Sequence, residues 1–544
     1  MAYGDNMIDQ DGQRADIVVV GGGHNGLVAG CYLAKAGLRV LIVEQAPWLG
    51  GMAASRAFVA EAPEHILSPG AWENVYFRAG GVGDELELQE FGHRDLPAAG
   101  WAWLGNSGES LVLQASMADT VADIRRFSAK DAATYAELTE AGIKILKIQD
   151  EYGLSSPKRP SLATVAAAVR AVASSRRIRS LLGSLLTTTA ADGIEALFES
   201  EALRGVFAGT GSILAPLDVD GSAIALLAPS MIHHHGAVRP VGGMGGLVAA
   251  LQRCFEAHGG QVRLSSEVAD IRMTAPAGGV VELTDGTVLH ADRAVIAACP
   301  VQRLPDMVGD ALPADIAERL RGAPANSTGL GTFTVNAALS GRIELSRHQP
   351  NRQDGVDLRR PAIYMGTLEE VVAAGAQSAR GELPDSMPFC LGILSAIDES
   401  QAPAGQDVVQ LYGPAPVRPD GGWDKWRGEA ERRLLEKVSQ AAPDFIDLQI
   451  GTYVETAEDL ATRTGAENGC IYHIDNLPTR IGPLRPAAGA GGYRTAVPDL
   501  YLGSASCHPG GGVSGLPGKH CATAVLDDLR GGRGIAGRLR AALR

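Results

Sequence analysis

The chain has only seven cysteines, an odd number, and no two of them stand as Cys-x-x-Cys. That argues against a disulfide framework, a zinc ribbon and a dithiol redox centre. Long apolar runs are also missing, so no segment reaches the length of a membrane span. The opening stretch, MAYGDNMIDQDGQRAD, is polar and acidic, unlike a signal peptide. Together these absences point to a reducing cytoplasm. Positive charge is in deficit: Lys and Arg number 48 against 62 Asp and Glu, a formal net charge of −14. Nucleic acid is therefore not an expected partner. Aromatic residues make up 5% of the chain, so any large cavity should be lined mainly by aliphatic groups. At 544 residues the chain exceeds one hydrophobic core, and two or more domains are expected.

Glycine, by contrast, is abundant, and one cluster of it organises the rest. Ala15–Glu44 reads ADIVVVGGGHNGLVAGCYLAKAGLRVLIVE. Ile17–Val20 is a β-branched run that predicts a buried strand. It breaks into Gly21-Gly22-Gly23-His24-Asn25-Gly26, a G-x-G-x-x-G turn, and an apolar helix follows, ending near Gly37. A second strand, Arg39–Val43, ends on Glu44. Gly21 permits the tight turn, Gly23 leaves room for a pyrophosphate, and Gly26 lets helix and strand pack closely. The helix N-terminus offers unpaired amides and the positive end of its dipole to the phosphates. Glu44 stands where an acid grips a ribose diol, and an acid there disfavours a 2′-phosphate. The pattern predicts an FAD or NAD site. Gly50-Gly51, just after the acid-tipped strand, would bring backbone close to the middle of the cofactor, which favours FAD.

Between about 85 and 232 helical patterns dominate: Ala132–Tyr152, Leu162–Ala173, Arg177–Leu186 and Ile194–Val206. Thr164–Leu186 is basic and amphipathic, with Arg170, Arg176, Arg177 and Arg179 among aliphatic residues. A core-packed helix with a solvated face is the reading preferred here, about two to one over a peripheral membrane contact. Three adjacent histidines, His233-His234-His235, cannot all face one point: in a strand His234 would oppose its neighbours, no carboxylate or cysteine pattern nearby completes a metal site, and a substrate-facing or packed role is expected. No metal is expected. Arg239–Leu251 is a glycine turn and helix, followed by strands and a hairpin turning at Asp285-Gly286, through which the chain returns to finish the nucleotide domain. Val268 would stand where backbone meets an adenine. Thr332–Leu339, Phe389–Ile397 and Asp407–Gly413 read as strands, and Trp426–Ala441 as a charged helix. Near the C-terminus strand, glycine loop and helix recur, in Leu500–Gly503, His508–Gly515 and on to about Leu529. With only one G-x-G-x-x-G fingerprint, a single dinucleotide touched by both chain ends suits FAD better than NAD.

GGGHNGLVAGCYLAKAGLRVLIVE, Leu49-Gly50-Gly51, HHHGAVRPVGGMGGL, LSAIDESQAPAGQDVVQLYG, NGCIYHID, Leu484-Arg485-Pro486 and HPGGGVSGLPG together resemble the phytoene desaturase superfamily of flavoproteins. Within it the likeness is to the branch of CrtO-type carotenoid ketolases and the pyridine nucleotide-disulfide oxidoreductase domain-containing protein 2 group. It runs from about Asp16 to Leu529. The resemblance implies an α/β fold: a discontinuous Rossmann-type FAD-binding domain with an inserted α+β substrate domain. The divisions expected are 14–84, 238–305 and 482–530 for the FAD-binding parts, 85–237 and 306–481 for the substrate parts, and a basic tail over 531–544.

The resemblance further implies noncovalent FAD, with Gly21, Gly23, Gly26 and Glu44 on its ADP half and Gly50 and Gly51 along the pyrophosphate and ribityl region. His508, Pro509, Gly510, Gly511, Gly512 and Val513, just beyond Gly503, would pass the isoalloxazine ring. The expected reaction is removal of a hydride from a lipophilic small molecule, with oxygen or a quinone reoxidising the flavin. His508, then His473 and His235, are the candidate catalytic side chains, because an imidazole titrates near neutrality. Carotenoid ketolase and amine oxidase chemistry are the enzymatic rivals; an amine oxidase would use Tyr472 and Tyr493 as its local aromatic pair. A non-catalytic interaction protein holding FAD as a prop is the rival outside enzymology.

Overall fold

The computed structural model describes residues 13–158, 176–274 and 278–531, with residues 162, 165, 166, 169 and 170 between. Much of the expected helix Leu162–Ala173, and the basic tail beyond residue 531, lie outside the described residues.

The β-branched run at the start becomes an inner strand of a sheet, Arg14–Val20, with Ile17–Val20 buried. Parallel to it on one side lie Val40–Val43 and then Gln261–Arg263; on the other lies Val288–Ala297. That last strand is shared. Its first half pairs antiparallel with Gly279–Leu283, which pairs in turn with Val268–Met273, and its end pairs parallel with Leu500–Leu502. One sheet is thus assembled from three distant parts of the chain. Helix α1 (His24–Lys35) follows the first strand. It packs against Leu516–Arg530 and Met244–Ala257, and a core of Ile17, Val19, Leu27, Leu33 and Phe255 fills the space between helices and sheet.

A second sheet runs in the order Gln449–Glu455, Leu330–Leu339, Asp407–Pro416, Phe389–Ile393, Ala362–Met365, Trp101–Leu104, Ser110–Leu113. All its pairs are antiparallel except Ala362–Met365 with Trp101–Leu104. Helix Glu201–Ser212 packs on it, and α2 (Ala129–Gly153) and α3 (Ala228–His235) pack against each other beside that helix.

Two local readings are corrected. Ile194–Val206 is not one helix: Ala190–Leu197 and Glu201–Ser212 are separated at Glu199 and Ser200, whose amides both donate to the buried carboxylate of Asp131. That acceptor draws the backbone out of the helical ladder. His233–His235 form the last turn of α3 rather than a strand, and Gly236 ends the helix at φ +72°. In the basic segment Val165, Val169 and Leu186 are exposed, between 45% and 62%, while Leu185 is buried and Leu182 packs with it on the core around Tyr135 and Phe207. No helix of the described residues is long and apolar enough to cross a membrane.

Candidate active site

The two N-terminal glycine turns meet. Gly21 sits at φ +110°, and a Cβ on Gly26 would lie 2.0 Å from the Gly21 carbonyl oxygen, so the helix can start this close to the turn only without a side chain there. Gly50 pairs with Gly23 and donates its amide to the Gly22 carbonyl at 3.0 Å. At φ +119° it holds a conformation that favours glycine. Arg463, from the second sheet's side, donates to the Gly51 carbonyl at 2.9 Å and pairs with buried Glu455 at 2.6 Å. The cradle is therefore tied to the second sheet by a charge-assisted network.

A cavity of about 310 Å³ opens from these turns. One end is lined by Gly21, Gly23, Glu44, Gly51 and Val268. Glu44 accepts from the Gly22 and Ala46 amides at 2.7 and 2.9 Å, one on each oxygen, and each oxygen retains a lone pair for a diol. Burial pushes its carboxyl above the ordinary range against these amides. Gly512 and Val513 of the C-terminal loop line the middle, beside Tyr76 and Tyr472. The far end is walled by Ile213, Leu214, Met231, Tyr364 and Tyr412.

A dinucleotide fits this cradle on its own terms. A Cβ added at Gly23 meets nothing within 4 Å, although the glycines on either side are crowded. The open space lies in front of the α1 N-terminus, whose first amides have no acceptor within the helix. Asn25 presents a buried, unpartnered Oδ1 in the same wall. The residues that would hold FAD are thus Gly21, Gly23 and Glu44 for its ADP half, and Gly51, Gly512 and Val513 farther in.

The remaining expected cofactor residues stand behind the wall. Gly503 packs on Ile296 and Cys521; Gly510 lies against the Arg485 guanidinium and Gly511 against Tyr472. Pro509 packs by Gly153, at the end of α2. Arg485 is 1% exposed and donates to the carbonyls of Tyr472 and Ala505 at 2.8 and 2.9 Å, binding two wall segments together. Burial lowers its pKa to about 10.

The three candidate histidines separate. His473 lines the cavity at φ +65°, with Nδ1 3.2 Å from Ser506 Oγ, and burial lowers its pKa to about 3. His508 turns away from the cavity: its Nε2 donates to the Tyr152 carbonyl at 3.1 Å, its ring packs on Tyr152 and its pKa falls to about 4. His235 faces Asp150 rather than the cavity. Tyr472 is in the wall, but Tyr493 is not; its hydroxyl donates to the His508 carbonyl.

Sequence reading missed Glu73. It lies in the cavity wall, with Arg239 Nη2 3.7 Å behind it and the Trp101 indole donating at 3.4 Å. Burial raises its pKa despite the guanidinium. No motif marks Glu73 in the sequence, and its partner is far away along the chain.

Residues 16–144 match the family model of FAD dependent oxidoreductases, and residues 168–353 that of flavin containing amine oxidoreductases. The chain is 25% identical to pyridine nucleotide-disulfide oxidoreductase domain-containing protein 2 of Rattus norvegicus, over 95% of this chain and 94% of that protein. It is 26% identical to hydroxyneurosporene desaturase of Cereibacter sphaeroides, over 94% of this chain and 98% of that one. Among solved structures, cyclohexylamine oxidase from Brevibacterium oxydans shares the fold with a TM-score of 0.58, at 16% identity over 95% of this chain and 99% of that one. Fold, glycine cradle and near full-length relatives agree: the chain is similar to the phytoene desaturase-like FAD-dependent oxidoreductases, and FAD is its cofactor.

Proposed function

We propose that the chain is a dehydrogenase of the desaturase type, which removes a hydride and a proton from adjacent carbons of a lipophilic small molecule. The observation that carries this reading is the far wall of the cavity, where Ile213, Leu214, Ala228, Met231 and Ala362 present aliphatic surface. Such a wall gains from burying hydrocarbon. The named activity of the desaturase relative supports the same class. FAD, when bound, supplies the two-electron acceptor, and oxygen or a quinone takes the electrons afterwards.

The chain's own residues orient the substrate and handle the proton. Glu73 accepts the proton at its carboxylate: burial makes it more basic than an ordinary glutamate, and Arg239 behind it keeps it ionised until then. His473 lines the same cavity and is neutral at physiological pH. It hydrogen-bonds with Ser506 and fixes the wall beside Tyr472.

A second reading, amine oxidation, has one observation in its favour. Tyr76, Tyr364, Tyr412 and Tyr472 all line the cavity, a denser set of aromatic rings than the sequence suggested.

Product analysis distinguishes the readings. FAD-loaded protein is incubated in air with isoprenoid hydrocarbons, long-chain alkenes and alkylamines, and the products are weighed by mass spectrometry. Loss of two hydrogens from a lipid is the expected result. Gain of oxygen on a lipid would replace the desaturase reading with ketolase chemistry. Turnover of amines alone would make it an amine oxidase.

A further inference from the structure

The last turn of α2 receives four imidazoles. His508 and His520 donate to the Tyr152 and Gly153 carbonyls, a satisfied use of helix-end acceptors. The other two differ. His234 Nε2 lies 2.8 Å from one oxygen of Asp150 and His235 Nε2 lies 3.3 Å from the other. The two rings stand 4.2 Å apart, centroid to centroid. Among the described residues, these are the one group of three ligand-type side chains whose donor atoms all lie within 4.8 Å of one another.

We propose that Asp150, His234 and His235 form a binding site for a divalent transition-metal ion, with zinc as its simplest occupant. Zinc ligands about 2.0–2.2 Å from the ion stand roughly 3.4 Å apart in a tetrahedron. The two imidazole-to-carboxylate distances, 2.8 and 3.3 Å, are already on that scale, so the ion needs only a small adjustment of the rings. Two imidazoles and one carboxylate are a donor set that zinc and its neighbours prefer to calcium or magnesium. The Asp150 side chain is 33% exposed, which gives an ion a way in and leaves an outer coordination position for water.

The site joins α2 to α3, the one of the two that lines the cavity, and lies outside the cavity itself. Asp150 is on α2, and His234 and His235 end α3, whose Ala228 and Met231 line the cavity. Tyr76 stands between, its hydroxyl donating to Met231 Sδ at 3.3 Å. A bound ion is therefore a clip on the substrate end of the cavity, separate from the flavin cradle. His233, the third member of the run, is not part of it: its Nε2 accepts from the Tyr135 hydroxyl at 2.8 Å and its Nδ1 faces the Ala115 carbonyl.

The test uses tag-free, FAD-loaded, full-length protein, stripped with chelator and titrated with zinc chloride by calorimetry. One equivalent should bind and raise the melting temperature. Asp150→Asn and the double variant His234→Gln/His235→Gln should bind at least tenfold more weakly, while His233→Gln binds as the parent does. Flavin absorbance and circular dichroism show whether each variant is folded. Should the Asp150 variant not fold, zinc-soaked crystals of the parent decide by the position of the anomalous peak. No saturable binding, binding unchanged in the folded double variant, or a peak away from these three residues would overturn the proposal.

Discussion

Replacing Gly23 and Gly26 in parallel separates cofactor binding from folding. Gly23 is the N-cap of α1 at φ −67°, ψ 170°, an extended conformation open to any residue, and a Cβ there meets nothing within 4 Å. In Gly23→Ala the unfolded chain loses freedom, worth about 0.4–1 kcal/mol in favour of folding. Alanine is a poorer cap than glycine by a similar amount. The two effects nearly cancel, so the apoprotein should keep its stability within about 1 kcal/mol. The methyl group, however, projects where the pyrophosphate must come. An extra methyl in a filled site costs about 1–3 kcal/mol, which lowers FAD affinity roughly 5- to 150-fold.

Gly26→Ala behaves differently. Its Cβ would lie 2.0 Å from the Gly21 carbonyl oxygen, a backbone atom that cannot swing aside. Helix and turn must separate, and the apoprotein itself should lose about 3 kcal/mol. Urea unfolding of both apoproteins and FAD titration by flavin fluorescence give the two numbers. Undiminished FAD affinity in Gly23→Ala would refute the placement of the pyrophosphate.

Three further outcomes are expected. Glu73→Gln should lower turnover about 10²- to 10⁴-fold while flavin content stays at the parent level, and a smaller loss in steady-state kinetics would remove Glu73 from the proton step. His24 and His508 are buried with pKa values lowered from 6.5 to about 4, so the unfolded chain binds more protons than the folded one as pH falls below about 6.5. Each should cost about 2 kcal/mol between pH 7 and pH 5, and urea titrations of His508→Asn should show a correspondingly shallower loss. Exposed Leu162, Val165, Val169 and Leu186, in a segment that contains four arginines, should bind vesicles containing anionic lipid. Sedimentation with neutral vesicles alone, or with none, would count against a membrane contact.

The nucleotide end was legible because its chemistry is local. A strand, a G-x-G-x-x-G turn, a helix and an acid lie within thirty residues, and each residue's task follows from backbone geometry. The C-terminal strand and helix were legible for the same reason. What escaped is what folding brings together from afar. Asp150 is 84 residues from His234, and the search for a third ligand near the histidine run could not reach it. Reading that run as strand also set His234 opposite its neighbours, whereas the end of a helix lets His234 and His235 converge. Glu73 and Arg239 find each other only across the cavity wall. Trp101–Leu104 and Ser110–Leu113 were missed as strands because four-residue runs buried on both faces carry no alternation. The break at Glu199 depends on Asp131, in another helix, and no local signal announces it.

The measurement that bears most directly on the central claim is the visible spectrum of the purified, FAD-loaded protein, held without oxygen while candidate reductants are added in turn. Bleaching of the flavin by an isoprenoid or other lipophilic alkene, and not by amines, NADH or NADPH, is the predicted result. Bleaching by amines or nicotinamides with none from any lipid would contradict the dehydrogenase account.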